Sequence, residues 1–88
     1  MSSPEHPLLP HLVDLESPYD PDVVLAYDPR ELIRYAVESS DYWAERALKW
    51  LDQGAPGEGL DDALLTLEEQ RARPQPLRHH ARRLRKVL

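Results

Sequence analysis

Between Pro29 and Gln53 the apolar residues follow a helical period almost without exception. Stepping about 100° per residue from Leu32 places Trp50, Trp43, Ala36, Ala47, Ile33, Leu51, Ala44, Val37 and Leu48 within one arc of roughly 160°. Nearly every charged residue falls outside that arc. Ser40 falls inside it and is small enough to let a neighbouring helix approach. An apolar stripe this wide must be covered by other elements, and that requirement constrains the fold more than any other feature. One helix over 29–53, roughly 37 Å long at about 1.5 Å per residue, fits the pattern better than two. A break at Ser39-Ser40 is the alternative, because serine also caps helices. Gly54 is placed to end the helix in a left-handed conformation, and Pro56 prevents its resumption.

Upstream, one octet is written twice. Asp20-Pro-Asp-Val-Val-Leu-Ala-Tyr27 is followed at once by Asp28-Pro-Arg-Glu-Leu-Ile-Arg-Tyr35. Aspartate before proline is a good N-cap, and proline suits the first helical position. Asp28 and Glu31 stand three apart, an aspartate variant of the capping box, and Tyr27/Leu32 have the spacing of a hydrophobic staple, as do Tyr19/Val24. The motif is therefore read as two consecutive helix starts, a short helix over about 21–27 and then the long one. The first cannot run far, since Pro29 disfavours helical backbone at Asp28.

After the loop Gly54–Gly59, a second apolar stripe (Leu60, Ala63, Leu64, Leu67) predicts a helix over 61–73 capped by Asp61, with Arg71 and Arg73 in its last turn, where cations suit the helix dipole. Pro74-Gln-Pro76 ends it. Leu77, Ala81, Leu84 and Leu88 mark a third helix over 77–88. The only weak strand signal is Val23–Tyr27. Residues 1–18 carry four prolines and read as an extended or mobile arm. Its leucines (Leu8, Leu9, Leu12, Leu15) and Val13 are apolar enough to lie over a groove on this chain or another. The expected fold is all-α: one helical domain over 19–88, a small three-helix bundle in which a shorter helical hairpin packs on one long helix, preceded by the arm.

At 88 residues the chain buries only about 60–65% of its unfolded surface, so its core must be efficient or completed by a partner. There is no cysteine, which excludes disulfides and thiolate chemistry. No apolar run approaches the roughly 18 residues of a membrane span, and the first residues lack the pattern of a secretory signal, so a cytoplasmic protein without membrane association is expected. Nine arginines against two lysines, with no phenylalanine, fit a GC-rich bacterial or phage source.

Charge is segregated. Residues 1–69 hold all 16 acids and four of the 11 bases, a net −12, whereas residues 70–88 hold seven bases and no acid, a net +7. Arg78, Arg82, Arg83, Arg85 and Lys86 spread around one helix in a way that suits phosphate contacts. No aromatic interleaves them, however, and the acidic body would repel a duplex. Pairing with Asp61, Asp62, Glu68 and Glu69, or with acids of another chain, is the favoured reading, and nucleic-acid binding is the alternative.

No enzyme is expected: the sequence has no Gly-rich phosphate loop, no metalloprotease motif and no nucleophile in a recognisable setting, and it implies no cofactor. His79 and His80 diverge by about 100° on a helix and are poorly placed to share a metal. Tyr35 and Tyr42 project at about 300° and 280°, on the polar side of the long helix, with Glu38 and Arg46 near them. Aromatics set among charges are enriched in protein interfaces. These four residues are the candidate partner-binding face, against the possibility that the arm packs there instead. The expectation is a small protein-binding regulator, adaptor or inhibitor, of antitoxin, immunity or phage-inhibitor type, with self-association through opposite charges a further possibility.

Overall fold

The computed structural model describes residues 7–87. Residues 1–6 of the expected arm, with His6, and Leu88 of the third stripe lie outside the described residues. The described chain is all-helical and has no strand, in agreement with the expected class. A 3-10 helix spans Leu9–Glu16, followed by α1 (Pro29–Ser39), α2 (Asp41–Asp52), α3 (Asp61–Glu69) and α4 (Gln75–Val87). Helix α1 packs on α2 and α3 on α4, and the two pairs meet where α1 touches α3 and α2 touches α4. The 3-10 helix lies across α1 and α2. The principal extents are 36 × 36 × 21 Å.

The long helix expected over 29–53 is two helices. Ser40 takes an extended backbone (φ −125°, ψ 164°), and its hydroxyl accepts the Trp43 N–H at 3.4 Å as the N-cap of α2. The periodicity could not show this, because both halves bury the same arc: Leu32, Ile33, Ala36 and Val37 on α1, and Ala44, Ala47, Leu48, Trp50 and Leu51 on α2. A second hold on the break comes from further along the chain. Arg73 donates through both terminal nitrogens to the Val37 carbonyl at 3.3 Å, an acceptor orphaned at the end of α1, and pairs with Asp41 at the start of α2. Arg73 can reach both because α3 ends at Glu69, four residues before the expected end, and neither Arg71 nor Arg73 lies in its last turn.

The first Asp-Pro octet forms a turn where a short helix over 21–27 was expected. Asp20 accepts the Asp22 N–H on its carboxylate at 2.9 Å and the Val23 N–H on its carbonyl at 3.3 Å. A helical nucleus is costly, and β-branched Val23-Val24 do little to support one. The second octet does start a helix. Asp28 accepts the Arg30 N–H at 2.9 Å, rather than forming the box with Glu31, and also holds the Arg30 guanidinium at 2.9 Å. That contact keeps the Asp28 carboxyl below the usual carboxylate range.

Other boundaries shift for local reasons. Helix α2 ends in a Schellman motif: Gly54 has φ +101°, its N–H meets the Leu51 carbonyl at 3.2 Å, and Ala55 N–H meets Trp50 O at 3.0 Å. Leu60 rather than Asp61 is the N-cap residue of α3, and no side chain caps that end. Helix α4 begins at Gln75, with the Arg78 N–H reaching the Pro74 carbonyl at 3.1 Å.

The arm is part of the core. Spacing by three aligns Leu12 and Leu15 on one face of a 3-10 helix, and both are buried against the same cluster as Leu32, Leu48 and Leu64. Each fully buried leucine contributes roughly 1.5–3 kcal/mol, so residues 9–16 help to hold the bundle together. No helix among the described residues is long and apolar enough to cross a membrane.

Candidate interaction surface

The break at Ser40 divides the four residues expected to form one face. Tyr35 and Glu38, on α1, line a cleft of about 430 Å³ with Pro7, Leu8, Glu31 and Arg34. Tyr35 is half-buried and packs on the core. Tyr42 and Arg46, on α2, line no part of that cleft and form a cluster at the opposite end of the arm. The Tyr42 hydroxyl donates to Glu16 Oε1 at 3.0 Å, its ring meets Trp43 edge-on at 4.8 Å, and the Arg46 guanidinium sits 3.4 Å from the ring centroid. Arg46 also donates to the Tyr42 carbonyl at 3.1 Å, which fixes it one turn from the ring it covers. The hydrogen bond to Glu16 raises the Tyr42 hydroxyl above the usual tyrosine range.

The arm therefore packs along the tyrosine side without sealing it. Tyr42 keeps 48% of its surface exposed, and Val13 on the outer side of the 3-10 helix keeps 59%. Leu9 is also exposed. A cation stacked on an aromatic ring, beside apolar side chains and a carboxylate, is the composition from which protein–protein hot spots are built.

The basic helix is partly neutralised by its own chain, chiefly by a single acid. Glu68 accepts Arg78 Nε on its carbonyl at 2.9 Å, Arg85 on its carboxylate at 2.9 Å, and has Arg82 at 3.8 Å. On the other flank His80 meets Asp52 at 2.7 Å. Asp62, expected to face α4, is instead held by Arg34 of α1 through two hydrogen bonds of 3.0 and 3.1 Å, which lowers the Asp62 carboxyl and raises the Arg34 guanidinium. Asp61 and Glu69 make no ion pair among the described residues. Arg83 and Lys86 are exposed and likewise make none among the described residues.

Of the acids expected to pair with α4, Glu68 does so; sequence reasoning missed two structural partners, Glu16 under Tyr42 and Arg73 at the helix break. They act across 26 and 36 positions, respectively, so no local spacing could show them. It also missed the exposure of Val23 and Val24, which the pairing of β-branched residues after Asp-Pro could have signalled. Among the described residues no cluster of three or more histidine, aspartate or glutamate side chains is placed to hold a metal. Comparison with protein-family models, curated proteins and solved structures finds no match to this chain.

Proposed function

We propose that the chain is a small protein-binding module, a regulator, adaptor or inhibitor that works by steric docking, and that the Tyr42–Arg46 cluster with the exposed side of the arm is its principal contact. The observation that carries this reading is the ordered, half-exposed Tyr42 ring, stacked by Arg46, edge-on to Trp43 and tied to Glu16 of the arm. An aromatic already held in place loses little side-chain entropy on docking, so more of its burial appears as affinity. Tyr35 and Glu38 would serve as a second, smaller contact at the cleft beside Leu8. An antitoxin, an immunity protein or a phage-encoded inhibitor all fit this mechanism.

The test is affinity capture from lysate of the source organism after nuclease treatment, comparing the wild type with Tyr42→Ala/Arg46→Ala. A protein retained by the wild type and lost by a variant that remains folded supports the reading. Equal retention by both rejects this surface.

The second reading, nucleic-acid binding through α4, has the exposed cations Arg82, Arg83 and Lys86 in its favour. Arg78 and Arg85 are engaged by Glu68, which leaves few phosphate contacts and implies a shallow salt dependence. Fluorescence anisotropy with labelled DNA and RNA, over a salt series, tests it directly.

A further inference from the structure

Two surfaces that the Tyr42 cluster does not use are complementary in charge and in character. The first is the loop from Tyr19 to Tyr27. Both of its feet are fixed. The Tyr19 N–H donates to Gln53 Oε1 at 2.7 Å and its ring lies 5.3 Å from Trp50; the Tyr27 hydroxyl donates to Asp14 Oδ2 at 2.9 Å and its ring lies 4.6 Å from His11. The turn at Asp20 braces the span between them. At its tip Val24 is 96% exposed, flanked by Asp20 and Asp22, which make no ion pair among the described residues. The backbone N–H of Val24, Leu25 and Ala26 finds no backbone acceptor among the described residues either. An apolar tip presented on a loop tied at both ends is pre-organised for docking.

The second surface is the outer end of α4. With Arg78 and Arg85 turned to Glu68, Arg82 3.8 Å from its carboxylate, and the His80 ring on Asp52, the α4 cations with no ion pair among the described residues are Arg83 and Lys86, next to Val87 at 75% exposure. We propose that these two surfaces bind each other between two copies of the chain, Val24 against Val87 and Asp20 and Asp22 against Arg83 and Lys86. Each copy carries both halves of the contact, so a two-fold pair makes it twice. The sign of the salt response separates this from unspecific association. Copies with a net charge of −5 repel one another, and salt relieves that repulsion, whereas the proposed pairing is weakened by salt. The inference is independent of the Tyr42 surface, and either can fail alone.

Analytical ultracentrifugation of the purified full chain tests it at about 0.01 M and about 1 M salt, where screening lengths are about 30 Å and 3 Å. A dimer that forms at low salt and dissociates at high salt is expected. Asp20→Lys/Asp22→Lys and Arg83→Glu/Lys86→Glu should each be monomeric alone, since both contacts become repulsive. Mixed in equal amounts they should recover a heterodimer, since one of the two contacts then joins the wild-type halves and the other joins the two reversed halves. Val24→Asp, at a site that packs against nothing within the chain, should weaken the dimer by about tenfold or more. A monomer at every salt concentration, a dimer unchanged in either reversed variant, or a mixture that stays monomeric would overturn the proposal.

Discussion

The two Asp-Pro octets share a sequence pattern and differ in almost everything the structure does with it. Val24 and Leu32 occupy equivalent places, eight residues apart, yet one is 96% exposed and the other fully buried. Both aspartates accept the N–H two residues on, at 2.9 Å in each case. The cap chemistry is the same; the residues after the cap are not. After Asp28 come good helix formers and an apolar face that α2 and α3 cover, so the turn propagates into α1. After Asp20-Pro21-Asp22 come two valines, and eight residues after Pro21 a second proline, Pro29, so the turn stays a turn. A local start signal nucleates a helix only where tertiary burial rewards its continuation.

The largest expected effect of breaking this comparison is on the buried side. Leu32→Ala should cost roughly 2–5 kcal/mol in urea unfolding, while Val24→Ala should stay within about 0.5 kcal/mol of the wild type. Equal costs would mean that the first octet is packed after all. Arg73→Ala comes next. It strips the donor from the Val37 carbonyl and the partner from Asp41, and should cost about 1–3 kcal/mol, with faster amide exchange around the α1–α2 junction. Unchanged exchange there would show that Ser40 alone holds the break.

The caps then sharpen the comparison. Asp28→Ala should cost about 1 kcal/mol and Asp20→Ala only a few tenths, read from unfolding midpoints at constant slope. The smallest effect is in acid. The Asp28 and Asp62 carboxyls titrate below their unfolded value of about 3.9. Their contribution is therefore fully present above that value and is lost as pH falls through the lower folded values. Asp28→Asn should flatten this acid limb slightly, with stability at neutral pH compared in the same series. A limb as steep as in the wild type would mean that Asp28 has no part in it.

How much of this was legible in the sequence depends on the range of the interactions. The apolar arc named all the buried residues of α1 and α2 because burial follows the period, but it also named Trp43, which is only partly buried against the core. It misjudged their continuity, because the break at Ser40 is made by that residue's own hydroxyl together with Arg73, far downstream. Spacing of the arm leucines pointed to a groove-covering segment, but not to a 3-10 helix that shares the main core. The charge segregation of α4 and its pairing with the acids of α3 were legible in the sequence, whereas the choice of Glu68 over Asp61, Asp62 and Glu69 depends on how α3 sits beside it. Of the candidate face, Tyr42 and Arg46 come together with Glu16, while Tyr35 and Glu38 are carried elsewhere by the break.

The contrast between the octets is tested most directly by residue-resolved amide hydrogen exchange across both of them, in the monomer at high salt. Val24, Leu25 and Ala26 are expected to exchange near the free-chain rate, while Ile33, Ala36 and Val37 are protected to near the global stability. Comparable protection at Val24–Ala26 and in α1 would contradict this, since the first octet would then be a folded helix with nothing left to offer another chain.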